Sequence, residues 1–269
     1  MFGFLTTAWC NRTLLLRLSR REVEARYKGS FLGIAWAALM PLIMIGIYSF
    51  VFGNIMRTRW LTAETGAENS VYSFAMLMFC GFILFGVFSE ALARAPGLML
   101  ENTSYVKKVV FPLDILPWVV VVSSLINAGI AFLVFLALFV VFYGLPPLTI
   151  VLLPLVVIPV TLITLGLTYF LASFGVFLRD LRQFVPMITT ALLFLSPVFY
   201  PLDAVPAQFK FLISMNPITI GVSEARDVIF WGRVPSPVEW GIYTAAGIVV
   251  AALGYAWFAR TRKAFADVI

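Results

Sequence analysis

Between Asp114 and Arg179 the sequence runs 64 residues without a charged side chain, broken only by the turn signal Tyr143-Gly144-Leu145-Pro146-Pro147. A charge at mid-bilayer costs about 2.5–3.5 kcal/mol, so a run this long marks a segment whose solvent is lipid. Split at the turn, it gives two spans, 118–142 and 149–176, joined by a tight hairpin.

The rest of the chain agrees. Hydrophobic residues make up 62% of it and charged ones 12%, far from the balance of a soluble domain. Only helices and closed barrels satisfy their own backbone in hydrocarbon, and long runs without strict alternation favour helices. Four further stretches reach the roughly 20 residues needed to cross: 34–56, 71–92, 183–202 and 240–259. The expectation is an all-α integral membrane bundle of six transmembrane helices.

Orientation follows from the basic residues. Arg57, Arg59, Lys210, Arg226 and Arg233 fall in the loops on one side, and the other fourteen of nineteen Lys and Arg fall on the side of both termini. The positive-inside bias makes that second side cytoplasmic. The net charge of +6 is mostly this bias, with basic residues flanking spans instead of lining a groove for nucleic acid. Cys10 and Cys80 lie in different segments and imply no disulfide or metal spacing.

Residues 1–33 lack the continuous apolar core of a signal peptide, and their basic residues follow the apolar ones. They read as a cytoplasmic amphipathic arm on the inner leaflet. Arg12, Arg17, Arg20, Arg21, Arg26 and Lys28 face headgroups, Trp9, Leu14, Leu15 and Leu18 dip inward, and Glu22/Arg26 and Glu24/Lys28 are i,i+4 pairs.

Catalytic chemistry is thin. The chain has no histidine, the acidic residues are scattered, and no phosphate-binding loop is present, Lys28-Gly29-Ser30 having the wrong order. No catalytic, metal or cofactor residue is therefore expected, and a nucleotide that drives movement must bind another subunit. Ion-driven carriers place ionisable groups near the midplane, and none is found there. A partnerless channel-like bundle stays open at this point.

Two loops carry more than connection. Glu101 to Asp114 mixes charge with apolar residues and ends at Pro112. Tyr105, Val106, Val109 and Val110 fall at helical spacing, fitting a short helix that docks on a partner or lies on the membrane surface. On the outer side, residues 203–239 are long for a loop and half apolar. Asn216-Pro217 starts a helix, Ile218, Val222, Ala225 and Ile229 share one face, and Gly232 ends it. With Pro206 to Met215 this makes a re-entrant pair of short helices before the last span, as a gate or as an anchor. Pro186 and Pro197 in the fifth span free carbonyls that neighbours or water must satisfy, so Phe194, Phe199 and Tyr200 face a channel or pack.

Arg20-Arg21-Glu22-Val23-Glu24-Ala25-Arg26-Tyr27-Lys28-Gly29-Ser30-Phe31-Leu32-Gly33-Ile34-Ala35-Trp36, then Pro41 and Tyr48-Ser49-Phe50-Val51-Phe52-Gly53, resembles the opening of the membrane subunit of ABC exporters for O-antigen, capsule and teichoic-acid polymers. Further matches follow in order: Asn102 with Lys107-Lys108 and Phe111-Pro112; Arg179-Asp180-Leu181 with Leu195-Ser196-Pro197 and Tyr200-Pro201; and Asn216-Pro217 with Glu224 and Arg226. Together they cover nearly the whole chain.

That resemblance implies a transport subunit, not an enzyme. It implies a homodimer bound to two copies of a separate ABC ATPase, which carries ATP and Mg, in the bacterial inner membrane. The cargo it implies is a polysaccharide linked to undecaprenyl diphosphate, moved from cytoplasm to periplasm. It assigns Arg20, Arg21, Arg26 and Lys28 to the headgroup and diphosphate entrance. Residues 93–117 become a coupling loop, with Glu101, Tyr105, Lys107, Lys108, Phe111 and Asp114 meeting the ATPase. Phe194, Phe199 and Tyr200 line the channel. Asn216, Pro217, Glu224 and Arg226 belong to a periplasmic gate at 203–239. A same-architecture exporter of teichoic acid, lipid or drug is the alternative, and a multi-span enzyme acting on polyprenyl phosphate is more remote.

Overall fold

The computed structural model describes residues 3–56, 74–107 and 111–268, and the described residues are helical with short connections. The arm is two helices, α1 (Gly3–Cys10) and α2 (Arg12–Tyr27), ended by Gly29 at φ 86°. α3 (Trp36–Tyr48) carries Pro41 inside it and continues as a wide π turn, Ser49–Ile55. Residues 57–73, including Arg57, Arg59 and the first three of the expected second span, lie outside the described residues.

α4 (Phe74–Arg94) is the centre of the molecule, buried along most of its length. Two short helices follow, α5 (Leu98–Glu101) and α6 (Thr103–Val106). The charge-free run forms α7 (Leu116–Tyr143) and α8 (Leu153–Phe177), with Gly144 at φ 83° making the turn. A residue with a side chain is strained at that φ, which is why the turn carries glycine.

α9 (Leu181–Phe194) is shorter than its expected span of 183–202. It stops where Pro197 disfavours helix in the residue before it and removes an amide donor. Fourteen residues rise only ~21 Å. The segment after it forms α10 (Ala207–Ser214), α11 (Thr219–Arg226) and a π turn, Asp227–Trp231, closed by Gly232 at φ 66°. α12 (Pro237–Thr261) and α13 (Phe265–Val268) complete the chain.

Among the described residues four helical stretches are long and apolar enough to cross a membrane: Phe74–Glu101, Leu113–Tyr143, Leu148–Phe177 and Pro237–Ala264. Trp36–Phe52 and Leu181–Phe194 are apolar but shorter. The tightest seam joins α8 to α12. A Cβ on Gly254 would sit 2.1 Å from the Gly166 carbonyl oxygen, and one on Gly166 would sit 2.4 Å from that of Val250. Small residues let two backbones approach this closely, the usual source of association between helices in lipid.

Candidate functional site

The arm is fastened to the bundle by packing and by ions. Leu15 is buried with Ile115 and Val119, and Leu14 and Leu18 pack beside them. Trp9 stays exposed, with the Arg12 guanidinium 5.3 Å from its ring centroid. The expected i,i+4 pairs do not form: Glu22 turns to Arg94, Arg26 to Glu90, and Glu24 pairs with Arg20 at 2.7 Å. Asn127 approaches Glu90 at 3.5 Å and Arg94 reaches the Ser123 hydroxyl at 3.4 Å. Glu22, Arg26, Glu90 and Arg94 thus form one half-buried network between α2, α4 and α7. Alternating charges in a half-dry site reinforce each other more than isolated surface pairs do.

This network divides the basic residues assigned to the entrance. Arg26 is held by Glu90, whereas Arg21 and Lys28 are exposed and Arg20 is exposed with only its helical neighbour Glu24. Sequence spacing missed the network because its partners are more than sixty residues apart. Its one signal was Glu90, an isolated carboxylate near the end of a span.

The segment 101–114, expected to meet a partner, lies at the same end of the bundle. Glu101 and Lys107 are exposed, Val106 is buried, and the Tyr105 and Phe111 rings stack at 4.4 Å with planes 9° apart. Lys108, Val109 and Val110 lie outside the described residues. Arg182 donates to the Gly97 carbonyl at 3.1 Å and stands 3.7 Å from Glu101, tying the start of α9 to the segment. Asp114 differs in kind, being buried, ion-paired with Arg262 and sharing its backbone carbonyl with the Tyr169 hydroxyl at 2.7 Å. Its carboxylate faces the bundle, not the exposed rim. A cleft of about 210 Å³ brings Arg21 and Glu22 of the arm against Asn102 and Tyr105.

At the opposite end the three aromatics come together. Phe194 stacks on Phe199 at 5.4 Å, Phe199 meets Phe82 edge-on at 5.4 Å, and the Tyr200 hydroxyl donates to the Phe194 carbonyl at 2.9 Å. Phe194 is the exposed member.

α10 and α11 are knitted to the break after α9 by polar contacts. The Asn216 amide donates to the Leu192 carbonyl at 3.1 Å and the Ser196 hydroxyl at 2.8 Å, while its oxygen accepts from the Ile218 amide at 3.1 Å. It caps the turn rather than the helix, which begins at Thr219, two residues after Pro217. The Pro217 carbonyl accepts from the Tyr243 hydroxyl. Ile218, Val222, Ala225 and Ile229 are all buried, as their spacing predicts.

Arg226 is buried, and its guanidinium donates to the carbonyls of Leu77 at 3.0 Å, Val198 at 2.9 Å and Pro197. The Pro197 and Val198 oxygens belong to a proline-broken stretch, groups that need a donor where water is scarce, and the Leu77 oxygen lies in the first turn of α4. Glu224 is buried with neither carboxylate oxygen hydrogen-bonded. Burial, then the charges of Glu239 and Asp227, raises its pKa to about 7. Among the described residues, no three His, Cys, Asp or Glu lie close enough to hold a metal ion.

Membrane-length helices, a polar arm with an exposed loop at one end, and a knitted cap at the other define a multi-pass helical membrane protein without a catalytic constellation among its described residues. The chain belongs to the ABC-2 type transporter family, whose membrane region matches residues 13–230. It is 29% identical over 260 residues to the O-antigen export system permease protein RfbA of Myxococcus xanthus, covering 96% of each chain. Over 261 residues it is 26% identical to the protein of that name from Klebsiella pneumoniae, covering 95% of each. The polysialic acid transport protein KpsM of Escherichia coli is 22% identical over 248 residues, 90% of this chain and 91% of that one.

Proposed function

We propose that the chain is the membrane subunit of an ATP-driven exporter that moves polysaccharide linked to undecaprenyl diphosphate from the cytoplasm to the periplasm. The observation that carries this reading is the likeness to O-antigen export permeases over 95–96% of both chains. The working unit is a homodimer in the bacterial inner membrane with two copies of a separate ABC ATPase, which holds ATP and Mg. Six spans, both termini in the cytoplasm and a re-entrant outer hairpin complete the arrangement.

In this reading Arg20, Arg21 and Lys28 attract the diphosphate, for which charge-assisted bonds suit basic side chains, while Arg26 positions the arm through Glu90. Glu101, Tyr105, Lys107, Lys108 and Phe111 take the push of the ATPase, and Asp114 anchors the segment's base through Arg262. Copies part along α3 and α9, and Phe194, Phe199 and Tyr200 meet the sugar chain. Asn216, Pro217, Glu224 and Arg226 hold the outer gate.

The test is reconstitution with the ATPase and a lipid-linked glycan in vesicles. The complex should move the glycan only with ATP, and Lys107→Glu with Lys108→Glu should leave ATP hydrolysis running without export. Nucleotide consumption or glycosidic bond formation by the purified chain alone would overturn the proposal.

A further inference from the structure

A cavity of about 760 Å³ lies between α7 and α8, which diverge below their tight turn, with α4 and α11 as its floor. Along α7 it reaches from Trp118 to Phe132, a rise of ~21 Å. Its walls are apolar side chains, among them Cys80, Val87, Phe132 and Val157. The polar groups on the wall are already engaged: the Thr161 hydroxyl donates to the Val157 carbonyl at 2.8 Å and the Trp118 indole to that of Phe4 at 3.0 Å. Water needs two to four polar partners to be held, and beyond the lone pairs of the Thr161 hydroxyl and the weak Cys80 thiol this wall offers none. The cavity opens at exposed Val151 and Ile158, and the neighbouring face of α7 is exposed and apolar at Leu133 and Val141, so the medium beside the cavity is hydrocarbon.

Gly129 lines the cavity, and a Cβ built there meets no protein atom within 4 Å. In the α8–α12 seam glycine serves backbone contact. Here it costs helix propensity, about 1 kcal/mol relative to alanine, with no such contact in return. Glycine also permits close approach of a ligand to backbone.

We propose that this cavity is a binding site for one alkyl chain of a bilayer phospholipid, lying along α7 over Gly129. Size separates the candidates. A helix about 10–12 Å across could lay only one face against a slot of this volume, whereas an alkyl chain fits inside it. Spread over ~20 Å, the cavity has a cross-section of about 38 Å², room for one to two chains at carbon contact distances of 3.5–4.0 Å. The gain over bulk lipid is packing, because lipid tails are as apolar as the wall.

Cys80 is an internal reporter: it lines the cavity, is buried, and cannot be touched by lipid that stays outside. The full chain, carrying Cys10→Ser, is placed in bilayers holding a phospholipid with a mid-chain diazirine, irradiated and mapped by mass spectrometry. Adducts on Cys80 are expected, lost in Gly129→Phe, while adducts on Leu133 and Val141, which are exposed and outside the lining, persist in both and show that the variant is folded. Adducts confined to the exposed flank would overturn the proposal. So would labelling of Cys80 by a diazirine-bearing polyprenyl phosphate but not by the phospholipid, which would give the cavity to the cargo's tail. None of these results depends on export.

Discussion

The α8–α12 seam and the α3–α9 pair are built from equally apolar sequence and end in opposite states. At the seam, Gly166, Gly247 and Gly254 bring backbones into contact, Ser173 and Thr261 share a 2.7 Å hydrogen bond, and Phe174 stacks on Trp257 at 5.3 Å. α3 and α9 bury little within the chain. α9 covers Val185 and Thr189 while Phe184, Met187, Ile188 and Phe194 stay exposed, and α3 exposes Met40, Leu42, Ile43, Met44 and Ile47. In lipid an exposed leucine or methionine carries no penalty, so exposure alone marks no interface. What distinguishes α9 is its length: at ~21 Å it falls short of a hydrocarbon core of ~30 Å, and the irregular chain after it needs protein around it. Seams closed by glycine are complete within one chain, whereas a short helix with a broken end depends on neighbours.

Removing Arg226 attacks the broken end directly. Arg226→Met should lower stability by roughly 4 kcal/mol, because the Pro197 and Val198 carbonyls lose their donor at about 1–3 kcal/mol each, while the Leu77 carbonyl keeps its helical amide. Thermal unfolding in detergent measures it, and a loss under 1 kcal/mol would show that the break supports itself. On the complete side, Gly254→Leu should cost about 3 kcal/mol, the upper end of overpacking, since the obstructing atoms are backbone and cannot swing away. Full accumulation with an unchanged unfolding temperature would contradict the seam.

The dependence of α9 on neighbours is sharpened by cross-linking. In a Cys10→Ser background, Met187→Cys should form disulfide-linked dimers on oxidation and Leu253→Cys, on the outer face of α12, should not. The opposite pattern would place the second copy on the seam side.

Glu224 lies on α11, next to the break, with Tyr243 of α12 nearby. Its pKa is raised from 4.5 to about 7, so the folded state binds its proton more tightly than the unfolded one. That stabilisation is fully present below about pH 4.5 and is lost as pH rises through about 7. Glu224→Gln should flatten the dependence of unfolding temperature on pH in this window, and an unchanged slope would assign it elsewhere. The smallest effect belongs to the surface pair: Arg20→Ala should change stability by no more than about 0.5 kcal/mol, since an exposed i,i+4 pair gives no more.

Helix positions in the apolar runs were legible because hydrophobic length alone sets them, as for α7, α8 and α12. The buried face of α11 and the stop at Gly232 followed from spacing and from the φ that glycine tolerates. The short α9 was written in Pro197, but that proline was read as lying within a span of 183–202, since in lipid a proline alone does not say whether a helix continues or ends. Asp114 looked like part of an exposed loop because Arg262 lies 148 residues away. The partners of Glu22 and Arg26 were hidden the same way: local pairing rules favour the nearest opposite charge, and tertiary packing brought nearer ones.

The grip of Arg226 has a mechanical consequence. One cation clasps the Pro197–Val198 break and the Leu77 carbonyl at once, so the outer cap has no freedom of its own to flap. Any opening there must carry the upper part of α4 along as a lever, and α4 ends at the other face of the bundle in Arg94, bonded to the arm.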